Sequence, residues 1–305
     1  MWLVLIVGIV IAVPLILERN RREMDDAARG AGPGQFATLP QGVTHFTWSG
    51  PKDGPVVICI HGLTTPSFVW QGLVKGLTAA GFRVLTYDLY GRGYSDRPRG
   101  KQDAAFFLRQ LSDLMTHEEV RGRVTLIGYS MGGAIATCYA AANPTRLRQL
   151  VLIAPAGMQH AIGAPVRVIR DSGLIGSWLM HAAFPRLHRK GIAAERALPA
   201  SVLDIYDQQE AELEFKGFIA AVLSSLRGVL RRPLKVEHQT IARKGLPVLA
   251  IWGAEDSVIP IKAVGRLAEW NRGAEHEQIA CAGHGLTYTH TDDVLGCLVP
   301  RLMKD

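Results

Sequence analysis

The chain has 305 residues, 48% of them hydrophobic, with 32 glycines, enough for one large core or two small ones and too apolar for a disordered segment. Its net charge of +7 is spread along the sequence, with no basic helix interleaved by aromatics; this speaks against a nucleic-acid partner and suits a surface facing anionic lipid. The four cysteines, Cys59, Cys138, Cys281 and Cys297, lack metal-ligand spacing. Cys59 and Cys138 read as small buried hydrophobes and no disulfide is expected, although a Cys281–Cys297 bridge stays open on sequence grounds.

Residues 1–17 form an uncharged apolar run followed by Glu18, Arg19, Asn20, Arg21 and Arg22. As a helix the run reaches about 25 Å, against a hydrocarbon core of about 30 Å. No basic segment precedes it and no small-x-small cleavage site follows it, which disfavours a cleaved signal peptide. A helix lying in the membrane interface is a further alternative. The expectation is a single-pass N-terminal transmembrane anchor at 1–17, with the positive flank keeping the globular domain cytoplasmic. Residues 18–35 then read as a basic juxtamembrane segment and linker, because Gly30, Gly32, Pro33 and Gly34 break any periodicity.

From residue 36 onward, strand-like and helix-like runs alternate. Strands are expected at 43–48, 56–60, 83–87, 124–127 and 149–153, and helices at about 70–80, 106–120 and 134–143. The run at 56–60 is apolar throughout, as for a strand buried on both faces. Together these runs predict a mostly parallel, twisted sheet flanked by helices. Between residues 156 and 246 the alternation stops. Amphipathic helices, expected at 162–183 and 211–230, read as a cap over the C-terminal edge of the sheet, where open α/β sheets bind ligands. Ile162, Leu174, Trp178, Met180 and Phe184 are its candidate pocket residues. Strands resume at 246–252 and 276–280, with helices at 262–271 and 291–302. The core is thus expected at 36–155 and 247–305, around a cap at 156–246.

Gly128-Tyr129-Ser130-Met131-Gly132-Gly133 lies between an apolar strand and a helix. A serine flanked by glycines there implies a sharp reversal, with its hydroxyl presented beside a helix N-terminus. Asp256 and His284 follow at the ends of two later strands. A serine hydroxyl is a weak nucleophile at neutral pH. It needs an imidazole to take its proton and a carboxylate to hold that imidazole's tautomer. The N–H groups of Leu63 and Met131 are placed to receive the negative charge that develops on the attacked carbonyl oxygen. His276 and His290 are rival bases, expected in the last strand and at the final helix. Glu255 is a rival acid, and His61 is expected to brace the Leu63 loop. Asp88-Leu89-Tyr90-Gly91-Arg92-Gly93 lacks phosphate-loop spacing.

Five stretches in order carry a resemblance: His61-Gly62, Asp88 to Ser95, Gly128 to Gly133, Gly253 to Pro260, and Gly283-His284-Gly285. Over residues 36–305 the chain resembles the α/β-hydrolase superfamily, most of all its capped serine esterases and monoacylglycerol-lipase-like members, some of which carry an N-terminal membrane anchor. The resemblance implies the α/β-hydrolase fold with a helical cap. It also implies Ser130, Asp256 and His284 as catalytic residues, with the acid at Asp256 rather than Glu255, and Leu63 and Met131 as the oxyanion hole. Thr64, Tyr129, Trp178 and Phe184 are the expected substrate pocket. The expected function is hydrolysis of apolar, lipid-like esters through an acyl-enzyme, with no cofactor and no metal. Membrane lipid is the expected partner. Carbon–carbon bond hydrolysis, cofactor-free haloperoxidation and a non-enzymatic receptor role are the alternatives.

Overall fold

The apolar runs pair into one eight-stranded sheet in the computed structural model, which describes residues 2–30, 32–158 and 163–304. The strands are β1 (Gln35–Leu39), β2 (Gly42–Ser49), β3 (Val56–Ile60), β4 (Arg83–Tyr87), β5 (Val124–Tyr129), β6 (Leu147–Ile153), β7 (Val248–Gly253) and β8 (Ala274–Ile279). Their order is β1-β2-β4-β3-β5-β6-β7-β8; β1 and β2 pair antiparallel, and every pairing from β4 to β8 is parallel. β1 was not expected from the sequence. It is a short edge strand whose outward residues are exposed, so it has no continuous apolar signature.

Alternate residues of the central strands face opposite layers, as a strand's period of two requires. Ile58, Leu85 and Leu126 face one core, and Val57, Val84, Ile127 and Val151 face the other. The helices, in chain order, are α1 (Trp2–Arg19), α2 (Asp26–Arg29), α3 (Gln71–Ala79), α4 (Ala104–His117), α5 (Met131–Ala142), α6 (Ala164–Asp171), α7 (Gly173–Glu195), α8 (Ile205–Ala211), α9 (Phe218–Arg227), α10 (Lys235–Arg243), α11 (Ala263–Trp270), α12 (Leu286–Thr289) and α13 (Thr291–Leu302). Helices α4, α5 and α11 cover the first core, and α3 and α13 the second. Helix α5 is buried along nearly its whole length; its Gly and Ala residues let it lie close on the sheet.

The insertion between β6 and β7 is helical, from α6 to α10. The helix expected at 162–183 is broken where Gly173 adopts φ +51°, a left-handed conformation natural to glycine. Gly217, at φ +87°, opens α9 in the same way. Of the candidate pocket residues, Ile162 lies outside the described residues. Leu174 is 90% exposed, and Met180 is buried with Phe218 inside the cap.

The N-terminal segment departs from expectation. Among the described residues, no helix is long and apolar enough to cross a membrane. Helix α1 packs along α7, and the Trp178 indole N–H donates to Ile11 O at 3.1 Å. Pro14 is buried, and Glu18 accepts from Gly217 N at 2.7 Å. Only residues 2–10 stand clear of these ties, about 14 Å of helix and well short of a bilayer core. The transmembrane anchor expected at 1–17 is therefore not supported. The expected tether at 18–35 is docked as well: Arg22 N donates to Glu214 O at 3.0 Å, and Arg29 binds Tyr94 O at 3.2 Å and pairs with Asp96. A backbone N–H at Arg22 and the Arg29 guanidinium hold that segment through partners far away in sequence, which composition alone does not reveal.

Candidate active site

The turn after β5 is tight for steric reasons. Ser130 adopts φ +52° and ψ −116°, a strained backbone for a residue with a side chain. A Cβ on Gly132 would lie 1.9 Å from Ile60 O, and one on Gly128 would lie 2.4 Å from Gly132 O. Glycine is required there because β3, β5 and α5 converge behind the serine. The sheet register sets Ile60 beside Gly128, which brings the loop after β3 to the same level as Ser130.

The three expected residues meet. Ser130 Oγ lies 3.0 Å from His284 Nε2, and His284 Nδ1 lies 2.7 Å from Asp256 Oδ2. The other oxygen of Asp256 accepts from Val258 N and Ile259 N, each at 2.8 Å. The Asp256 side chain is 1% exposed and that of His284 is 16%. This chain orients the imidazole so that Nδ1 carries the proton toward the carboxylate and Nε2 is free to accept from the serine. Tyr129 donates its hydroxyl to His284 O at 3.0 Å and so pins the loop that carries the histidine.

The rivals fall elsewhere. Glu255 points to solvent. His276 Nδ1 accepts from the Trp252 indole at 3.2 Å, and His290 Nδ1 contacts its neighbour Thr289 at 2.9 Å. Neither ring is near Ser130 in the hydrogen-bond network.

Met131 directly follows the serine, and Leu63 follows Gly62, where an added Cβ would lie 3.5 Å from Ser130 Cβ. Neither backbone N–H has a partner among the described residues, and Met131 N belongs to the N-terminus of α5, where the helix dipole favours negative charge. His61 braces the loop in a defined tautomer. Leu89 N donates to His61 Nε2 at 2.8 Å, so Nδ1 carries the hydrogen that reaches Gly62 O at 2.9 Å. Gly62 C=O and Leu63 N–H belong to one peptide unit, so this bond orients and polarises the donor. Burial pulls the His61 pKa down to about 4, which keeps the ring neutral and Nε2 an acceptor.

A cavity of about 800 Å³ opens above the serine, between core and cap. Leu63, Thr64, Tyr129, Ser130 and His284 line its floor. Val166, Leu187, Ile192, Leu226 and Leu230 supply apolar walls from the cap, with Arg170, His188, Glu195, Gln209, Arg231 and Arg232 as polar ones. Of the four expected pocket residues, Thr64 and Tyr129 line this cavity. Trp178 and Phe184 are not among the lining residues: Trp178 turns to α1, and Phe184 stacks on His188 at 5.2 Å and packs on Phe218. Helical periodicity assigns them an apolar face, but the packing of the cap decides whether that face meets the cavity or another helix. The polar cap residues carried no sequence signal of their own. Among the described residues, no group of three His, Cys, Asp or Glu side chains is arranged to hold a metal.

The alpha/beta hydrolase fold family model matches residues 55–291. Monoacylglycerol lipase abhd6-B of Xenopus laevis is 27% identical over 253 residues, 77% of this chain and 72% of that protein. A bromoperoxidase from Bacillus anthracis superposes with a TM-score of 0.74 at 20% identity, covering 90% of this chain and all of that one. A membrane phospholipase A, described as a bacterial virulence factor, superposes with a TM-score of 0.71 at 22% identity, covering 99% of this chain and 95% of that one.

Proposed function

The chain belongs to the α/β-hydrolase fold family, and on that premise we propose that it is a serine hydrolase cleaving apolar, lipid-like carboxylic esters, of monoacylglycerol-lipase or carboxylesterase type. The observation that carries this reading is the continuous chain Asp256–His284–Ser130, ending beneath a cavity to which the cap contributes Val166, Leu187, Ile192, Leu226 and Leu230. Ser130 Oγ attacks the ester carbonyl carbon as its proton passes to His284 Nε2. The oxygen that becomes negative is received by Leu63 N–H and Met131 N–H. Collapse of the tetrahedral intermediate expels the alcohol, which takes the proton from His284, and leaves an acyl group on Ser130. Water then gives a proton to the same nitrogen, attacks the acyl carbon and frees the acid. Asp256 stays ionised and stabilises the imidazolium.

Lipid is the proposed partner. Trp2, Leu5, Ile6, Ile9 and Val10 of α1 are each more than half exposed, as are Leu174 and Ile175 at the start of α7, the helix on which α1 rests. A helix with apolar side chains around its circumference is unfavourable in water. Burial of this surface in one leaflet, without spanning, matches the length left free. The basic residues Arg19, Arg21 and Arg22 favour the cytoplasmic leaflet.

The test is labelling with a fluorophosphonate, followed by a panel of p-nitrophenyl esters, monoacylglycerols and a vinylogous ring-fission diketone. Labelling at Ser130 with turnover of long-chain esters is the expected result. Turnover of the diketone alone would overturn the ester assignment, and turnover of short soluble esters alone would overturn the lipid assignment.

A further inference from the structure

Arg92 lies in the Asp88-to-Ser95 turn, which the triad does not use. Its side chain is fully buried, and all five of its N–H bonds meet acceptors. Nε donates to Leu63 O at 3.1 Å. Nη1 donates to Tyr90 O at 2.9 Å and to Gln102 Oε1 at 2.5 Å. Nη2 donates to Ala221 O at 3.2 Å and Ser225 Oγ at 2.8 Å, both on cap helix α9. One planar group thus touches the oxyanion loop on one edge and the cap on the other. Burying a guanidinium is costly unless its donors are satisfied and its charge is balanced. Glu212, another cap residue, lies near enough for its ionised form to favour the guanidinium's charge, and it accepts from Gly93 N at 3.0 Å.

We propose that Arg92 is a positioning residue that sets the Leu63 oxyanion donor and makes its placement depend on a seated cap. The proposal rests on the serine-hydrolase reading above. His61 holds the peptide unit that contains the Leu63 N–H. Arg92 holds the carbonyl on the other side of the same Cα. With both neighbours fixed, the donor has one orientation. Two of the acceptors that orient Arg92 belong to α9, the helix whose Leu226 lines the cavity. Displacement of α9 to admit substrate releases that edge of the guanidinium, and closure over bound substrate restores it. Binding energy from the acyl chain is thereby expressed where the oxyanion forms. Lysine carries its charge on a flexible stem without the planar fork and cannot hold both edges.

The experiment compares parent, Arg92→Lys and Ser225→Ala, with active sites titrated by a fluorophosphonate. It measures kcat and KM on a short p-nitrophenyl ester, and affinity for a trifluoromethyl ketone whose hemiketal oxygen occupies the oxyanion hole. Arg92→Lys is expected to lower kcat per titrated site about 10- to 100-fold with little change in KM, the range for a displaced oxyanion donor. Ketone affinity should fall in parallel. Ser225→Ala keeps every contact of the Leu63 loop, and its effect should be smaller and in the same direction; it decides the matter if Arg92→Lys does not fold. Parent-like kcat per titrated site in the folded variants, or a rise in KM alone, overturns the proposal. A parent protein that the probe does not label overturns the serine-hydrolase reading, and this proposal with it.

Discussion

Ser130 is held at φ +52° because neighbouring glycines allow the chain to pass where a side chain would strike backbone. The strain is local, and its return is a hydroxyl aimed at His284 Nε2 from 3.0 Å. Ser130→Ala is expected to keep the fold, abolish fluorophosphonate labelling and lower kcat by about 10⁵- to 10⁶-fold, as for other serine hydrolases that lose the nucleophile. A variant that labels like the parent would refute the assignment. Tyr129 serves the site one residue away by donating to His284 O. Tyr129→Phe removes that bond and should cost about 1 kcal/mol of stability, seen as a lowered melting temperature. Its kcat should fall more than its KM changes, since the freed loop carries the base.

Elements meet at two places where packing leaves no slack. Behind the elbow, β3 and α5 approach so closely that Gly132→Ala would drive a methyl to 1.9 Å from Ile60 O. A clash with backbone cannot be relieved by a rotamer change, and a loss of about 3 kcal/mol or more is expected in denaturant unfolding. At the junction of α10 with α11, His238 is buried beside Trp270, and neither ring nitrogen has a partner among the described residues. Burial pulls its pKa from 6.5 down to about 4. The unfolded chain therefore takes the proton first, and stability falls as pH drops from 6.5 to 4, by about 3 kcal/mol in all. His61 acts in the same direction. Glu212 opposes them: burial raises its pKa from 4.5 to about 7, so its contribution is present below 4.5 and is lost as pH rises through 7. His238→Leu should flatten the dependence of melting temperature on pH between 4 and 6.5 and raise the melting temperature at pH 5. Melting curves that track the parent across that range would contradict this account.

On the scale of the whole molecule, the cap joins two surfaces. Its inner face closes the cavity, and α7 on its outer side carries α1 with its exposed apolar side chains. If α1 seats the protein on lipid, deleting residues 2–10 should abolish cosedimentation with anionic vesicles while leaving kcat on a soluble short-chain ester unchanged. Retained cosedimentation would refute the role of α1. The ties at Ile11, Pro14 and Glu18 lie beyond the deletion, so the cap should keep its place.

Much of this architecture was legible in the chain itself. Apolar runs of strand length, separated by helices, dictate a parallel sheet. Gly-x-Ser-x-Gly, Asp256 and His284 at strand ends predict three side chains that meet, because strand ends of a parallel sheet converge on one edge. The sheet register and the contacts of the cap were decided by the tertiary structure alone. Trp178 and Phe184 satisfy a helical period equally well facing a cavity or facing another helix, and only packing separates the two. The run at 1–17 is uncharged and apolar, yet its hydrogen bond from Trp178 and the half-buried Glu18 that follows it tie it to the cap. Arg92 reads as one basic residue in a glycine-rich turn until folding brings Leu63, Ala221 and Ser225 around it. Those acceptors lie 29, 129 and 133 residues away, a separation at which local pattern carries no information about contact.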